Sequence, residues 1–348
     1  MTRVWDIPVH DPTRVRDVRA ATEAAGAHAG LDALRTAAAV LVATELATNL
    51  LKHAGGGRLV IDLVDGPGAG AGTPAVQLVA LDDGPGIRDV TVAMRDGHST
   101  SEASRGAGLG TCRRISSAFD VCSSPRGTVS MARIEQGVSR GSARPACRVG
   151  GVNIPLARAE HSGDAWSCVR SGSALTLMVA DGLGHGRKAA QASGAAVDEL
   201  HRHGHLPPAA ILRHLHEALR STRGAAVALA RLDVDAGELS FAGVGNIGAR
   251  LHGDGSWEHL VSHPGIVGAQ FPATVPVHRV PWKPDSLLVL HSDGLPSRWA
   301  PPDDPALLAH EPAAVAAAIL RDAGSADGPV RDDTCVAVLA RDHSEGYP

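Results

Sequence analysis

The stretch Ala174-Leu175-Thr176-Leu177-Met178-Val179-Ala180-Asp181-Gly182-Leu183-Gly184-His185-Gly186 decides how the second half of this chain folds. Residues 174–180 form an apolar run of the length expected for a buried strand. The run stops on a carboxylate followed by a residue without a side chain, and an alanine-rich helical pattern follows. A carboxylate at a strand end, beside a glycine whose carbonyl is accessible, is well placed to hold a hard cation. The same arrangement recurs at Asp293-Gly294 after Leu287–Leu290. Asp332 precedes the closing run Thr334–Leu339, and Asp164 lies near an early strand. Oxygen ligands from four distant segments suit magnesium or manganese rather than zinc. They can meet only if the sheets fold back on one another, as in a sandwich. Two ions held there would activate a shared water and clamp phosphoryl oxygens. Asp96-Gly97, Asp254-Gly255 and Asp327-Gly328 lack the preceding apolar strand and read as turns.

The chain has 348 residues, enough for about two domains. With 44% hydrophobic residues but only 3% aromatics, its cores must be built from Val, Leu, Ile and Ala. A balance of 33 basic against 37 acidic residues argues against a nucleic-acid partner. Cysteines 112, 122, 147, 168 and 335 show neither CxxC spacing nor an even framework, as expected of spare thiols in a reducing compartment. No signal peptide is legible and no apolar stretch reaches membrane-spanning length, so the expectation is a soluble, cytoplasmic protein. Segment 136–148, rich in Gly, Ser, Arg and Pro, reads as a linker between domains 1–135 and 149–341, with 342–348 a tail. In the first domain strands are expected at 4–9, 58–64, 76–81, 119–123 and 127–135, and helices at 12–27, 31–53 and 109–118. In the second they are expected at 149–155, 164–170, 174–180, 225–233, 237–242, 246–252, 286–291 and 334–340. Helical patterns there cover 186–203, 207–220 and 303–322, while 65–74 and 262–285 read as connections.

The first half contains no GxxxxGK[ST] and no strand–GxGxxG–helix unit, so the two commonest phosphate-binding motifs are missing. Three other pieces occur in order. Glu45 and Asn49 stand four apart on one helix face. Asp82-Asp83-Gly84-Pro85-Gly86 follows the strand 76–81. Gly106, Gly108 and Gly110 open a helix. Glycines there let backbone approach phosphates, and the helix start presents free N–H groups. An Asn oxygen can take one magnesium position, an Asp at a strand end can accept from an adenine amino group, and Glu45 could accept a hydroxyl proton.

That order resembles the GHKL ATPase family over about residues 1–135, in its short serine-kinase and anti-sigma-factor (RsbT/RsbW-like) branch. The resemblance implies an α/β sandwich with a mixed sheet covered by helices. It makes Asn49 the magnesium ligand, Asp82, Gly84 and Gly86 the adenine-side box, and Gly106, Gly108 and Gly110 the phosphate lid. ATP and Mg2+ are the cofactors it implies, with Glu45 the base toward a partner's serine.

Residues 149–340 resemble the metal-dependent protein phosphatases of the protein phosphatase 2C type, in the SpoIIE/RsbX-like branch, through Asp181-Gly182-Leu183-Gly184-His185-Gly186 above all. The resemblance implies an α-β-β-α sandwich holding two Mn2+ or Mg2+ ions. Asp181 would bridge them, Gly182 would offer its carbonyl, and Asp164, Asp293 and Asp332 would complete the shell. Asp333 is not expected to be a ligand, and no counterpart is legible for the phosphate-binding arginine of human-type members. The five histidines between 201 and 216 read as solvated or packed positions, and only His185, beside Asp181, stands out. Together the resemblances imply a bifunctional serine/threonine kinase and phosphatase acting on a STAS-domain anti-sigma-factor antagonist, with a sigma factor as a further partner and a homodimer allowed. The alternative is an ATP-binding module that grips the STAS protein or sigma factor without phosphotransfer, fused to an active phosphatase.

Overall fold

Local chemistry sets both ends of the long helix in the first half. Asp32 caps the N-terminus of the long helix by accepting from the Arg35 amide at 2.7 Å, and Gly55, at φ 73°, closes it in the left-handed conformation. The computed structural model describes residues 3–65, 74–95, 108–137, 146–156, 159–327 and 332–342. Gly106, the 66–73 connection and most of the expected linker lie outside them. The chain divides into two compact units, Val4–Ser142 and Ala143–Pro348 together with Met1–Arg3.

In the first unit the order is β1 (Trp5–Val9), α1 (Arg14–His28), α2 (Ala33–Asn49), β2 (Gly57–Asp65), β3 (Pro74–Leu81), α3 (Val90–Ala93), α4 (Gly108–Ile115), β4 (Ala118–Ser124) and β5 (Gly127–Ile134). One π-helical stretch, Leu50–Ala54, extends α2. The sheet order is β1-β2-β3-β5-β4. Alternate residues Leu59, Ile61, Val76, Leu78 and Ala80 share a core with Val18 and Ala25 of α1 and with Val42, Ala43 and Leu46 of α2. All described pairings are antiparallel, where a mixed sheet was expected. The crossover through α3 and α4 does return β4 parallel to β3, but β5 inserts between them. Helix Ala33–Ala54 is long and apolar enough to cross a membrane by length and composition, contrary to the sequence expectation. Its face bearing Val42, Ala43, Leu46 and Leu50 belongs to this core.

In the second unit β6 (Cys147–Ile154), β7 (Asp164–Ser171), β8 (Ala174–Gly182), α5 (Arg187–His203), α6 (Pro208–Leu219) and β9 (Ala225–Asp233) come first. They are followed by β10 (Glu238–Val244), β11 (Gly248–Gly253), β12 (Ser256–Leu260), β13 (His278–Pro281), β14 (Leu287–His291), α7 (Pro305–Leu308), α8 (Pro312–Asp327) and β15 (Thr334–Arg341). β12 and β13 are short edge strands without an apolar run, and sequence patterning missed both. The helix expected over 303–322 is two, because Pro312 starts a new one. β6 begins at Cys147, inside the expected linker.

Two antiparallel sheets, β13-β10-β9-β8-β7 and β12-β11-β14-β15-β6, pack across a core of Leu175, Leu177, Val179, Phe241, Leu288, Leu290, Ala337 and Leu339. Helices α5 and α6 cover the first sheet through Met178, Ala180, Leu200, Ile211 and Leu215. Helix α8 covers the second, and a Cβ on Gly150 of β6 would sit 2.5 Å from the Ala313 nitrogen. The result is an α-β-β-α sandwich. β8 is buried on both faces, which is why its sequence reads as a continuous apolar run rather than an alternating one.

Candidate functional site

Strand parity delivers the acids of the second unit. Leu175, Leu177 and Val179 face the inter-sheet core, so Asp181 comes at the same parity where the strand ends. β7 sets Asp164 directly opposite it in register. Two carboxylates facing across a ladder repel one another. Asp164 is held there by its setting: Asn153 Nδ2 donates to its carbonyl at 2.8 Å, and its own amide donates to Ser162 Oγ at 3.1 Å. Its carboxyl lies within hydrogen-bonding reach of Ser292 and Asp181, yet Oδ2 is buried with no partner.

The electrostatics follow from this crowding. Burial, and then the Asp181 carboxylate, hold Asp164 well above the ordinary carboxylate range. Burial together with Asp293 and Asp332 pushes Asp181 up to about 7. Asp293 is raised by burial and by Asp332, and Asn246 offsets part of this by donating Nδ2 to Asp293 Oδ2 at 2.7 Å. Asp332 is exposed, with Oδ1 accepting from the Asp333 amide at 2.8 Å. Thus the structure brings Asp164, Asp181, Asp293 and Asp332 together from four segments. Their mutual repulsion and the orphaned Oδ2 are the electrostatic complement of a hard divalent cation. The residues therefore fit the oxygen-ligated ions that the sequence implies.

Asp333 does something else. It is buried, and its two oxygens accept from the Leu156 and Gly163 amides, each at 2.8 Å, tying two loops beneath the acids. The glycines beside Asp181 and Asp293 are required by close approach: a Cβ at Gly182 would overlap the Ala189 carbonyl oxygen, and one at Gly294 would overlap Thr334. Burial raises Asp333 above the ordinary carboxylate range, an effect that the two amides and the exposed His185 partly offset. Sequence reading missed Asn246 and Arg223. Asn246 lies between β10 and β11 with no apolar run ending on it. Arg223, exposed in the turn before β9, reaches over the loop after Asp181: a Cβ at Gly184 would lie 3.0 Å from its Nη1, and Leu183 donates to the Gly224 carbonyl at 3.0 Å. An arginine next to glycine was the only signal available.

In the first unit Glu45 and Asn49 are half-buried, and Asn49 ends α2 where the π-helical turn begins. Asp82 Oδ1 accepts from the Gly84 amide at 2.9 Å and the Thr128 amide at 3.1 Å, fastening the turn to β5. Gly84 lies against the end of the same long helix, because its Cβ would come within 2.8 Å of Ala54 Cβ. Gly86 has φ 77° and packs on the Ser124 carbonyl. Gly108 has φ 61° and opens α4, whose buried Cys112 thiol is pushed up to about 12, first by burial and then by Glu45. The three sequence pieces therefore converge: Gly84 on the end of the helix, and α4 on Glu45. Gly110 lines a cleft of about 520 Å3 with Arg95, Arg113 and Arg114, a basic setting suited to an anion, whereas Glu45, Asn49 and Asp82 do not line it.

Comparison with known proteins agrees with both halves. Residues 9–133 match the family described as histidine kinase-like ATPase domain, and residues 171–342 match Stage II sporulation protein E (SpoIIE). The chain is similar to the serine/threonine-protein kinase RsbT of Bacillus subtilis (strain 168), 38% identical over 78 residues, covering 22% of this chain and 55% of that one. It is also similar to the phosphoserine phosphatase RsbX of the same organism, 26% identical over 135 residues, covering 38% of this chain and 67% of that one. The chain thus spans about half to two-thirds of the length of these curated relatives. A solved structure described as the bacterial stressosome, a modular system adapted to control secondary messenger signaling, superposes with TM-score 0.50 at 29% identity, over 56% of this chain and 98% of that one.

Proposed function

We propose, for a chain that fuses a histidine kinase-like ATPase domain to a phosphatase domain of the Stage II sporulation protein E family, a bifunctional switch that adds and removes phosphate on a serine or threonine of a partner protein. The observation that carries the phosphatase half is the Asp164–Asp181 pair, set opposite in register, with an orphaned oxygen and with Asp293 and Asp332 beside it. Asp164, Asp181, Asp293, Asp332 and the Gly182 carbonyl would hold two manganese or magnesium ions, which supply Lewis-acid and water-activating chemistry when bound. The net reaction would be hydrolysis of the phosphoserine ester to serine and inorganic phosphate, the proton lost by the water balancing the one gained by the seryl oxygen, with no enzyme nucleophile needed. Asn246 would orient Asp293, and Arg223, which overlies the loop after Asp181, would supply a cation for the incoming phosphate.

In the first unit Asn49 would hold Mg2+, Asp82 with Gly84 and Gly86 would receive adenine, and Gly106, Gly108 and Gly110 would face the phosphates of ATP. Glu45 is the base toward the acceptor hydroxyl. Similarity to the kinase RsbT, the phosphatase RsbX and the stressosome structure supports this partner-switching reading, in which the partner would be a STAS-domain anti-sigma-factor antagonist and the setting cytoplasmic. Manganese-dependent hydrolysis of an aryl phosphate and of a phosphoserine peptide tests the phosphatase half. Activity abolished in Asp181→Asn and Asp293→Asn, with KM raised about tenfold in Arg223→Ala, supports it. A folded wild type that hydrolyses neither compound at any manganese concentration overturns it. A second reading, ATP-tuned partner binding without phosphotransfer, is separated by Glu45→Ala. Loss of phosphate transfer to the partner supports the kinase, whereas ATP-dependent binding in wild type with no transfer supports the module.

A further inference from the structure

The last turn of α5 and the middle of α6 carry a cluster that neither activity uses. Glu199 and His203 stand four residues apart on one face of α5, and His214 comes from α6 packed beside it. One ligand atom from each of the three lies within 4.8 Å of the other two. His203 Nε2 is 3.2 Å from Glu199 Oε1. The His203 and His214 rings stack with centroids 4.0 Å apart and planes 8° from parallel. Glu199 is only 8% exposed, and its Oε2 is fixed by Arg202 Nη1 at 2.8 Å. His205, in the turn joining the helices, has its ring centroid 6.4 Å from that of His203.

We propose that Glu199, His203 and His214 bind a transition-metal ion that favours imidazole, zinc foremost, with His205 in reach as a fourth ligand. Two or three imidazoles with one carboxylate form a nitrogen-rich set of the kind zinc takes, unlike the all-oxygen cluster around Asp181. The two centres therefore select different metals. Coordination requires both rings to turn out of their stack, so that each aims a lone pair at one point with bonds of about 2.0–2.1 Å. His214 is exposed and His203 half-buried, which leaves them room to turn. Glu199 is already held for the task, because Arg202 occupies one carboxylate oxygen and leaves the other facing His203. Binding would join the last turn of α5 to the middle of α6. Since α5 starts at Arg187, directly after the 182–186 loop, the ion would brace the helix that follows the acid centre.

The test is a calorimetric titration of zinc chloride into the EDTA-treated, desalted 348-residue chain carrying Asp181→Asn and Asp293→Asn, which disables the oxygen centre. The expected result is one equivalent of zinc bound, at least about tenfold more weakly after His214→Ala or His203→Gln. Cobalt(II) in place of zinc should give visible d–d bands of a nitrogen-ligated, low-coordinate ion that vanish in the same histidine variants. His214 is exposed, so its variant should melt like the parent in EDTA and carries the test even if His203→Gln misfolds. Absence of zinc binding, or binding that is insensitive to His214→Ala, overturns the proposal. So does zinc binding by the wild-type chain that disappears with the two aspartates alone.

Discussion

Replacing Asp181 by asparagine should stabilise the second unit when metal is absent and destabilise it, relative to wild type, when metal is present. The folded-state pKa of Asp181, about 7, stands above its ordinary 3.8 because of burial and of Asp293 and Asp332. Between those values the unfolded chain has lost a proton that the folded chain keeps. This group's contribution to stability therefore falls as pH rises through that window and levels off above about 7. A displacement of that size corresponds to roughly 4 kcal/mol between protonation states. Asp181 interacts with Asp164, Asp293 and Asp332, which would rearrange around an asparagine, so about 1–3 kcal/mol should follow the single substitution. Urea denaturation in EDTA, at about pH 8 and at about pH 4, reads the difference. Four of the five tryptophans, Trp166, Trp257, Trp282 and Trp299, lie in the second unit, so their fluorescence follows mainly that unit. The variant should be the more stable protein at the higher pH and match wild type at the lower. Saturating manganese should reverse the order, because only wild type gains binding energy from it. A metal-free variant no more stable than wild type at about pH 8, or equal stabilisation of both proteins by manganese, would refute the reasoning.

Asn246→Ala removes the 2.7 Å hydrogen bond that orients Asp293, and manganese affinity, read by titrating activity against the ion, should fall about 10–100-fold. Gly182→Ala drives a Cβ into the Ala189 carbonyl between β8 and α5, and should cost more than about 2 kcal/mol in urea denaturation. Gly86→Ala must hold φ 77° against the Ser124 carbonyl. ATP binding by the first unit, followed with a fluorescent nucleotide, should weaken at least tenfold, about 1.4 kcal/mol, while manganese-dependent phosphatase activity is kept.

The acids of the second unit were legible because each marks a break in an otherwise apolar run. Asp181 closes β8, Asp293 follows β14 and Asp332 precedes β15, so composition over a few residues was enough to single them out. The Glu45–Asn49 spacing and the turn at Asp82 were legible for the same local reason. Sequence patterning failed where apolar period is weak: the edge strands β12 and β13, the four-residue helix α3, the break between α7 and α8, and the antiparallel placement of β5 between β3 and β4. The histidines of 201–216, read as solvated or packed, are so in the fold: His214 is exposed and its ring stacks on that of His203. Each is unremarkable on its own helix, and their significance arises only when α5 and α6 pack side by side.

By itself the sequence determined the two α/β halves, the strands and helices with strong period, and which residue types could carry the chemistry. These are local properties, written in side-chain alternation and in the glycines that tight turns and close approaches require. Tertiary structure alone decided that Asp164 faces Asp181, that Asn246 reaches Asp293, that Arg223 lies over the loop after Asp181, and that His214 stacks on His203. Those contacts join residues 11 to 47 positions apart, or fix the register of one strand on another. They depend on how buried surfaces pack rather than on any pattern along the chain.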